Sequence, residues 1–486
     1  SASVLSMECN QTVYQTYDDL SSCLLSVPYS ETVKADTLET LRAIIPSYVF
    51  VDSVQQSADP VHIPISVNLQ SSLNVIESTT YTSDADLQQA FASLFAQLED
   101  AHTRYTKPLD PYCAASFVLP FNFYSRVSGN PAQQKFFLKI RQELLDHYLD
   151  LYPPFYSSSV DGFQVMTIDG EDAVSAIGNF ANSSVGYSKD YSARFNLAVD
   201  GYGGDFPPMF TWRNQSLQGI PEQQTMSMVV QSSAGENSTI QVNWMGVFDE
   251  FYPLNITDVG KVGVHQLEYF EKSFGLDSSR DNEEPEGNPD VYWTMVNEKT
   301  GVLRIYTFSP SDSKVFINTI EEAVCYFNEH GIENLIIDVS QNGGGSICLG
   351  YAVEKFLFPD VSPYVGAYDI KASQLFVEFS EAASSQMCSN VTHQVCGVNP
   401  EVVGYFTPCA WYDWYSKDQY YDSTWMIPGK TVTRGGIPDP YSTFITQNCE
   451  TEYSRWIPAD VARLDLSPNN VIVVSDGLCG STCSVF

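Results

Sequence analysis

Basic residues are scarce in this chain: 24 lysines and arginines stand against 59 aspartates and glutamates over 486 residues, a formal net charge of −35. Nucleic acid and anionic membranes would repel such a surface, which argues against both as partners. Long apolar runs are missing as well, and no stretch approaches the roughly twenty apolar residues that a membrane span requires. There is no Cys-x-x-Cys pair, the commonest zinc-ligand spacing, and no metal site is expected. No Gly-Lys-Ser/Thr follows the one run of three glycines, so a phosphate loop is excluded. Ser1 is preceded by no methionine and followed by no apolar leader, from which a mature form with its signal peptide removed is expected.

What is present describes a globular protein. Hydrophobic residues make up 43% and aromatic residues 13%, and the chain is too long for a single core. The sequons at Asn10, Asn182, Asn214, Asn237, Asn255 and Asn390, with few lysines, predict a secreted glycoprotein. In that oxidising setting the cluster Cys388, Cys396, Cys409 and Cys449 reads as disulfide-stapled loop. The odd cysteine count leaves one thiol free or paired outside the chain.

The chain divides by texture. Residues 1–110 read as a helical region. Its clearest helix, Asp84 to Asp100, places Leu87, Ala90, Phe91, Leu94, Phe95 and Leu98 on one face. It delivers Asp100, His102, Thr103 and Arg104 into a loop before Pro108. Residues 111–269 carry short β-like runs with one helical interval and form a small β module. Residues 270–290 are acidic, poor in apolar side chains, and expected to be an exposed linker. From 291 to 486 a strand, a helix closed by Gly331 and the strand NLIIDV predict a parallel α/β domain. A Cys- and Tyr-rich insertion occupies about 360–460, and Asn470 to Ser475 returns as a buried core strand.

Two strand ends carry the chemistry. The strand ending IIDVSQNGGG places Gly343 to Gly345 at the carboxyl end of a parallel strand, where ligands sit and backbone N–H groups can face an oxyanion. Without further context the same glycines describe a tight strand-to-helix turn. The final stretch, VIVVSDGLCGSTCSVF, sets Ser481 among small residues at a strand exit, as a nucleophile needs. Cys479 and Cys483 flank it. A cysteine nucleophile is an alternative, but an oxidising compartment favours their disulfide. His62, His147, His265, His330 and His393 take structural readings.

Set in order, LEDAHTRY, IIDVSQNGGG and DGLCGSTCSVF resemble the tail-specific or C-terminal processing serine peptidases, in particular the branch of the chlamydial secreted protease with its fungal members. Asp338, Val339, Asn342, Gly344 and Gly345 match that family's glycine motif, while Ser340 stands where its arginine does. Asp100, His102 and Thr103 match its histidine motif, and Ser481 its nucleophile, with Ser484 in place of an acid. The resemblance implies a multidomain fold: a helical N-terminal region, a PDZ-like β module and a Clp protease/crotonase-like α/β catalytic domain. It implies a secreted serine endopeptidase without cofactor, Ser481 as nucleophile and His102 as base. Gly344, Gly345 and Thr482 would supply oxyanion donors. The orienting acid is expected after Phe486, on a C-terminal fragment of the same precursor, or is replaced by a residue such as Asp100. Peptide or protein is the expected substrate, and a homodimer is left open. The alternatives are a catalytically inactive peptide-binding glycoprotein of the same fold and a protease that matures a precursor peptide.

Overall fold

A computed structural model of the chain describes residues 12–485 except 56–64, 108–109, 129–132, 154–159, 202–206, 249–285, 288–289, 359, 361–365, 385–405, 407, 427–428, 435–436, 448, 450–463, 465 and 481. It is a mixed helix-and-sheet, multidomain fold with two compact units: residues 1–42 with 54–275, and residues 43–53 with 276–486. The acidic segment expected as a linker lies mostly outside the described residues.

In the first unit, helices α1 (Tyr17–Leu25), α2 (Leu69–Ser78) and α3 (Asp84–Ala96) form from amphipathic stretches with polar caps. Ser83 Oγ caps α3 by accepting the Asp86 N–H, and Asp84 and Asp86 favour the positive end of its dipole. Leu87, Phe91, Leu94 and Phe95 are its buried face, as the periodicity predicts. The helix stops four residues earlier than its pattern suggests, because Glu99 takes a left-handed φ of 50° and turns the chain into the histidine loop.

The first unit also holds two antiparallel sheets. One orders β1 (Tyr14–Thr16), β9 (Met245–Phe248), β2 (Ala115–Val118) and β6 (Trp212–Asn214). The other runs β3 (Phe121–Ser128), β4 (Gln133–Ile140), β5 (Gln164–Ile168), β7 (Thr225–Gln231) and β8 (Asn237–Asn243). Asp169 and Gly170, both at positive φ, make the tight turn after β5 that the sequence Asp-Gly announces. Helix α4 (Ala173–Ser184), capped by Asp172, packs across β5.

The second unit is built on a five-stranded sheet, ordered Glu286–Gly287, β10 (Val291–Asn297), β11 (Thr300–Ile305), β12 (Asn334–Asp338) and β13 (Val471–Val474). Strands β11, β12 and β13 run parallel. Between β11 and β12 the chain crosses over through α5 (Ser313–His330), capped by Asp312 and closed by Gly331 at φ 59°. Phe316, Ile320, Ala323 and Phe327 fall on its buried face against the sheet. Helix α6 (Ile347–Leu357) begins just after the glycine turn, with Ser346 as its cap.

One expectation fails here. Strand β13 is not buried: Ile472 is 60%, Val473 54% and Val474 41% exposed. It is the end member of the sheet, paired only to β12 among the described residues. A run of aliphatic residues reads alike in a central and an edge strand, since burial depends on neighbours that the local pattern does not encode.

Candidate active site

The glycine turn is held by a buried amide. Strand β12 ends at Asp338, whose Oδ1 accepts the Ser340 N–H at 2.9 Å, and Gln341 adopts φ 61°. Asn342 is fully buried; its Nδ2 donates to Ile305 O at 2.9 Å and its Oδ1 accepts the Gly344 N–H at 2.8 Å. The Phe308 N–H donates to Gly344 O at 2.7 Å and the Ser346 N–H to Phe308 O at 2.9 Å, so the turn is laid against the chain leaving β11. Gly345 sits at φ 135°, and a Cβ there would overlap the Phe308 carbonyl group, so only glycine fits.

This arrangement separates the two expected glycine donors. The Gly344 N–H is engaged by Asn342 and shapes the turn, whereas that of Gly345 makes no hydrogen bond among the described residues. Asn342 was legible as a motif position but not as a brace.

The terminal turn docks onto the glycine turn at three points. Asp476 Oδ2 accepts the Gln341 N–H at 3.1 Å, and its Oδ1 accepts the Leu478 N–H at 3.0 Å. The Gly480 N–H donates to Asn342 O at 3.2 Å. Thr482 Oγ1 donates to Gly345 O at 2.6 Å. Thr482 also packs on α6 at Gly350, where a Cβ would come within 2.5 Å of Thr482 Cγ2. A short helix, α7 (Thr482–Val485), begins there. Ser481 itself lies outside the described residues, as does the side chain of Ser484; the described neighbours Gly480 and Thr482 bound the nucleophile position.

Cys479 and Cys483 form a disulfide across this turn, and Cys483 is buried in the core of the second unit. A bonded, buried sulfur is no nucleophile, which removes the cysteine alternative. A second disulfide, Cys348–Cys449, ties α6 to the end of the Tyr-rich excursion. Of the expected staple cluster, Cys388 and Cys396 lie outside the described residues. Cys113 and Cys325 are not in disulfides, and the Cys113 thiol donates to Lys107 O at 3.5 Å.

His102 belongs to the first unit and is exposed on its loop. Asp100 organises that loop: Oδ1 accepts the His102 backbone N–H at 3.0 Å and Oδ2 the Thr103 hydroxyl at 2.9 Å. These bonds act on the loop's backbone and not on the imidazole ring. Two charged side chains shielded from solvent anchor the loop's ends. Glu99 pairs with Arg194 at 2.8 Å, and burial raises its carboxyl above the usual range despite that partner. Lys107, 2% exposed, donates to Gln218 O at 2.9 Å, and burial pushes its ammonium down to about 7 although Asp84 opposes the shift.

His147 stacks on Tyr14 with ring centroids 3.9 Å apart, and His330 stacks on Tyr326 at the same distance, which fits their structural readings. Asn214 is 8% exposed, and its Oδ1 accepts from the Ser216 N–H and hydroxyl, which sets it apart from the other described sequons as a buried one. Asn182 and Asn237 are exposed, and Asn10, Asn255 and Asn390 lie outside the described residues.

The first unit has an open cavity of about 1260 Å³ lined by α3, α4 and residues 217–226. Its lining includes Phe180, Phe210, Trp244 and Arg213, whose guanidinium lies 3.6 Å from the Phe180 ring centre. Burial holds Arg213 down at about 9, and no carboxylate among the described residues pairs with it. Among the described residues there is no group of three or more potential metal ligands, and no helix is long and apolar enough to cross a membrane.

No family model matches the chain. Two fungal proteins do: peptidase S41 family protein phomP1' of Diaporthe leptostromiformis, 22% identical over 237 residues, and phomP1 of the same organism, 21% identical. Each match covers 41% of this chain and 33% of the relative, so the chain spans a third of those proteins' length. Among solved structures, mature CPAF complexed with lactacystin is 17% identical with a TM-score of 0.44, covering 77% of this chain and 71% of that one. The photosystem II D1 C-terminal processing protease is 13% identical with a TM-score of 0.23, covering 68% and 66%. By sequence, the chain is similar to peptidase S41 family proteins, which supports the tail-specific protease resemblance of its histidine, glycine and serine motifs.

Proposed function

We propose that the chain is a secreted serine endopeptidase that cleaves peptide bonds through an acyl-enzyme. The observation that carries this reading is the docking of the Ser481 turn on the glycine turn, through Thr482 Oγ1 and Gly345 O, at the carboxyl ends of the adjoining parallel strands β12 and β13. That is where an α/β sheet presents its reactive groups.

In this reading His102 removes the proton from Ser481 Oγ as it attacks the scissile carbonyl and returns it to the leaving amine. The N–H groups of Gly345 and Thr482 receive the oxyanion, each contributing on the order of 3 kcal/mol to transition-state stabilisation. No cofactor is required. The β meander of the first unit acts as a PDZ-like module, and its Arg213 cavity gives an extended peptide a place to lie. Replacing Ser481 by alanine in the full-length protein abolishes cleavage and fluorophosphonate labelling; retained cleavage would overturn the assignment.

The second reading is an inactive peptide-binding glycoprotein of the same fold. Ser340 and Ser484, which stand where the family carries an arginine and an acid, favour it. Peptide binding without fluorophosphonate labelling at any pH selects it. Maturation of a precursor peptide is a narrower form of the first reading, tested by the substrate's identity.

A further inference from the structure

We infer that the cavity of the first unit binds an organic carboxylate, whose head is held by the Arg213 guanidinium and whose apolar body lies against the aromatic rings around it. This deepens the reading of the cavity as a place for peptide, and it holds whether or not the chain cleaves what it binds there.

Acidic side chains outnumber basic ones 59 to 24, so a guanidinium in this chain has many carboxylates to choose from. Arg213 takes none: among the described residues its guanidinium makes neither an ion pair nor a hydrogen bond, and aromatic rings surround it instead. Its Cζ lies 3.6 Å from the ring centre of Phe180, 5.4 Å from that of Trp244 and 5.6 Å from that of Phe210. Ring faces attract the charge but leave the N–H donors of the fork without an acceptor. Arg213 lines the cavity and is only partly buried, so those donors are open to whatever enters.

The surroundings are built and not collapsed around a missing partner. Strand β6 carries Arg213 between buried Trp212 and Asn214, with its main chain paired to Phe117. Phe180 and Phe210 pack edge to face at 5.2 Å, and Phe210 and Trp244 belong to the core. Carboxylates that line the cavity are engaged elsewhere. Glu99 pairs with Arg194 at 2.8 Å, Asp169 accepts the Ser227 N–H at 2.8 Å, and Glu171 accepts from Asn179 Nδ2 at 2.6 Å.

The ligand's chemistry follows from these neighbours. A planar fork suits a carboxylate, which can accept two parallel N–H bonds from it. The rings suit an apolar or aromatic body beside that head. Exposed Asp169, Glu171 and Glu222 in the same lining disfavour a dianion such as phosphate. At about 1260 Å³ the cavity exceeds the roughly 300–1,000 Å³ of a small-molecule pocket, which favours an acidic side chain within a peptide over a small free acid.

Calorimetric titration of the full-length protein separates these sources. The titrants are acetyl-Phe-Glu-Phe-amide, acetyl-Phe-Gln-Phe-amide, 3-phenylpropanoate and inorganic phosphate; both peptides are blocked at each end, so only the side-chain carboxylate distinguishes them. The glutamyl peptide should bind on the order of tenfold or more tightly than the glutaminyl one. In Arg213→Met the two should bind alike, and Arg213→Lys, which keeps the charge without the fork, should recover only part of the difference. Binding of 3-phenylpropanoate without either peptide supports the carboxylate site with a free acid as its source. Equal binding of the two peptides without 3-phenylpropanoate, binding of phosphate in place of the carboxylates, or no binding of any titrant overturns the inference. The comparison within the wild-type protein decides the matter even if the variants fail to fold. Glutamyl preference in a protein that cleaves nothing would sink the peptidase reading and leave this site standing.

Discussion

Thr482 Oγ1 donates to Gly345 O at 2.6 Å, joining the two turns that flank the proposed nucleophile. Thr482 is 1% exposed, so the bond is formed away from water. Thr482→Val keeps the shape but leaves the Gly345 carbonyl without that donor, at a cost of about 1–3 kcal/mol. The expected outcome is a fall in kcat/KM of at least tenfold with the fold retained by circular dichroism, and recovery in Thr482→Ser. Equal activity of the valine and serine variants would show that the bond positions nothing.

Gly345→Ala asks a harder question of the same turn. A side chain at φ 135° is strained, and its Cβ would overlap the Phe308 carbonyl group. Thermal unfolding of the variant should show a loss of more than about 2 kcal/mol together with loss of activity. Gly343→Ala, at a glycine of the same turn without positive φ, is the comparison.

Asn342 bonds Ile305 O and the Gly344 N–H through opposite ends of one amide. Asn342→Asp keeps the acceptor and forfeits the donor, placing a carboxylate oxygen against a buried carbonyl. Urea unfolding should register a destabilisation of about 2–4 kcal/mol, larger at pH 8 than at pH 5, where the new acid is protonated and can donate again.

Lys107 gives the fold a pH dependence of defined sign. Its folded pKa, about 7, lies below the value of the unfolded chain, so between about pH 7 and 10 the unfolded chain binds a proton that the folded one does not. Stability from this group therefore rises with pH across that window and is least below pH 7, where the ammonium must be buried beside Tyr112, with Asp84 as its opposing charge. Lys107→Met should flatten the dependence between pH 6 and 9 as read by urea midpoints. An unchanged slope would assign it elsewhere.

Much of this was legible in the chain itself, and the exceptions share a cause. The apolar face of α3, the crossover α5 with its Gly331 stop, and the parallel pair β11–β12 follow from periodicity and caps, which are local. Three motifs in family order marked the candidate site. What could not be read depends on partners distant in sequence. Strand β13 looked central because its residues are aliphatic, yet it is an edge. Gly344 looked like an oxyanion donor, yet a neighbouring amide holds its N–H. Asn214 satisfied a sequon, yet its oxygen closes a buried turn. The pairing of Cys348 with Cys449 had no sequence signal at all, because many connectivities suit eleven cysteines.

That last bond changes what the Tyr-rich excursion is. The bond joins Cys348, in the first turn of α6 directly after the glycine turn, to Cys449 late in the excursion, with Cα atoms 4.9 Å apart although 101 positions separate them in sequence. A tether at the neck makes the excursion a closed lobe grafted at two points, and restricts the unfolded chain by about 4–5 kcal/mol on a chain-entropy estimate.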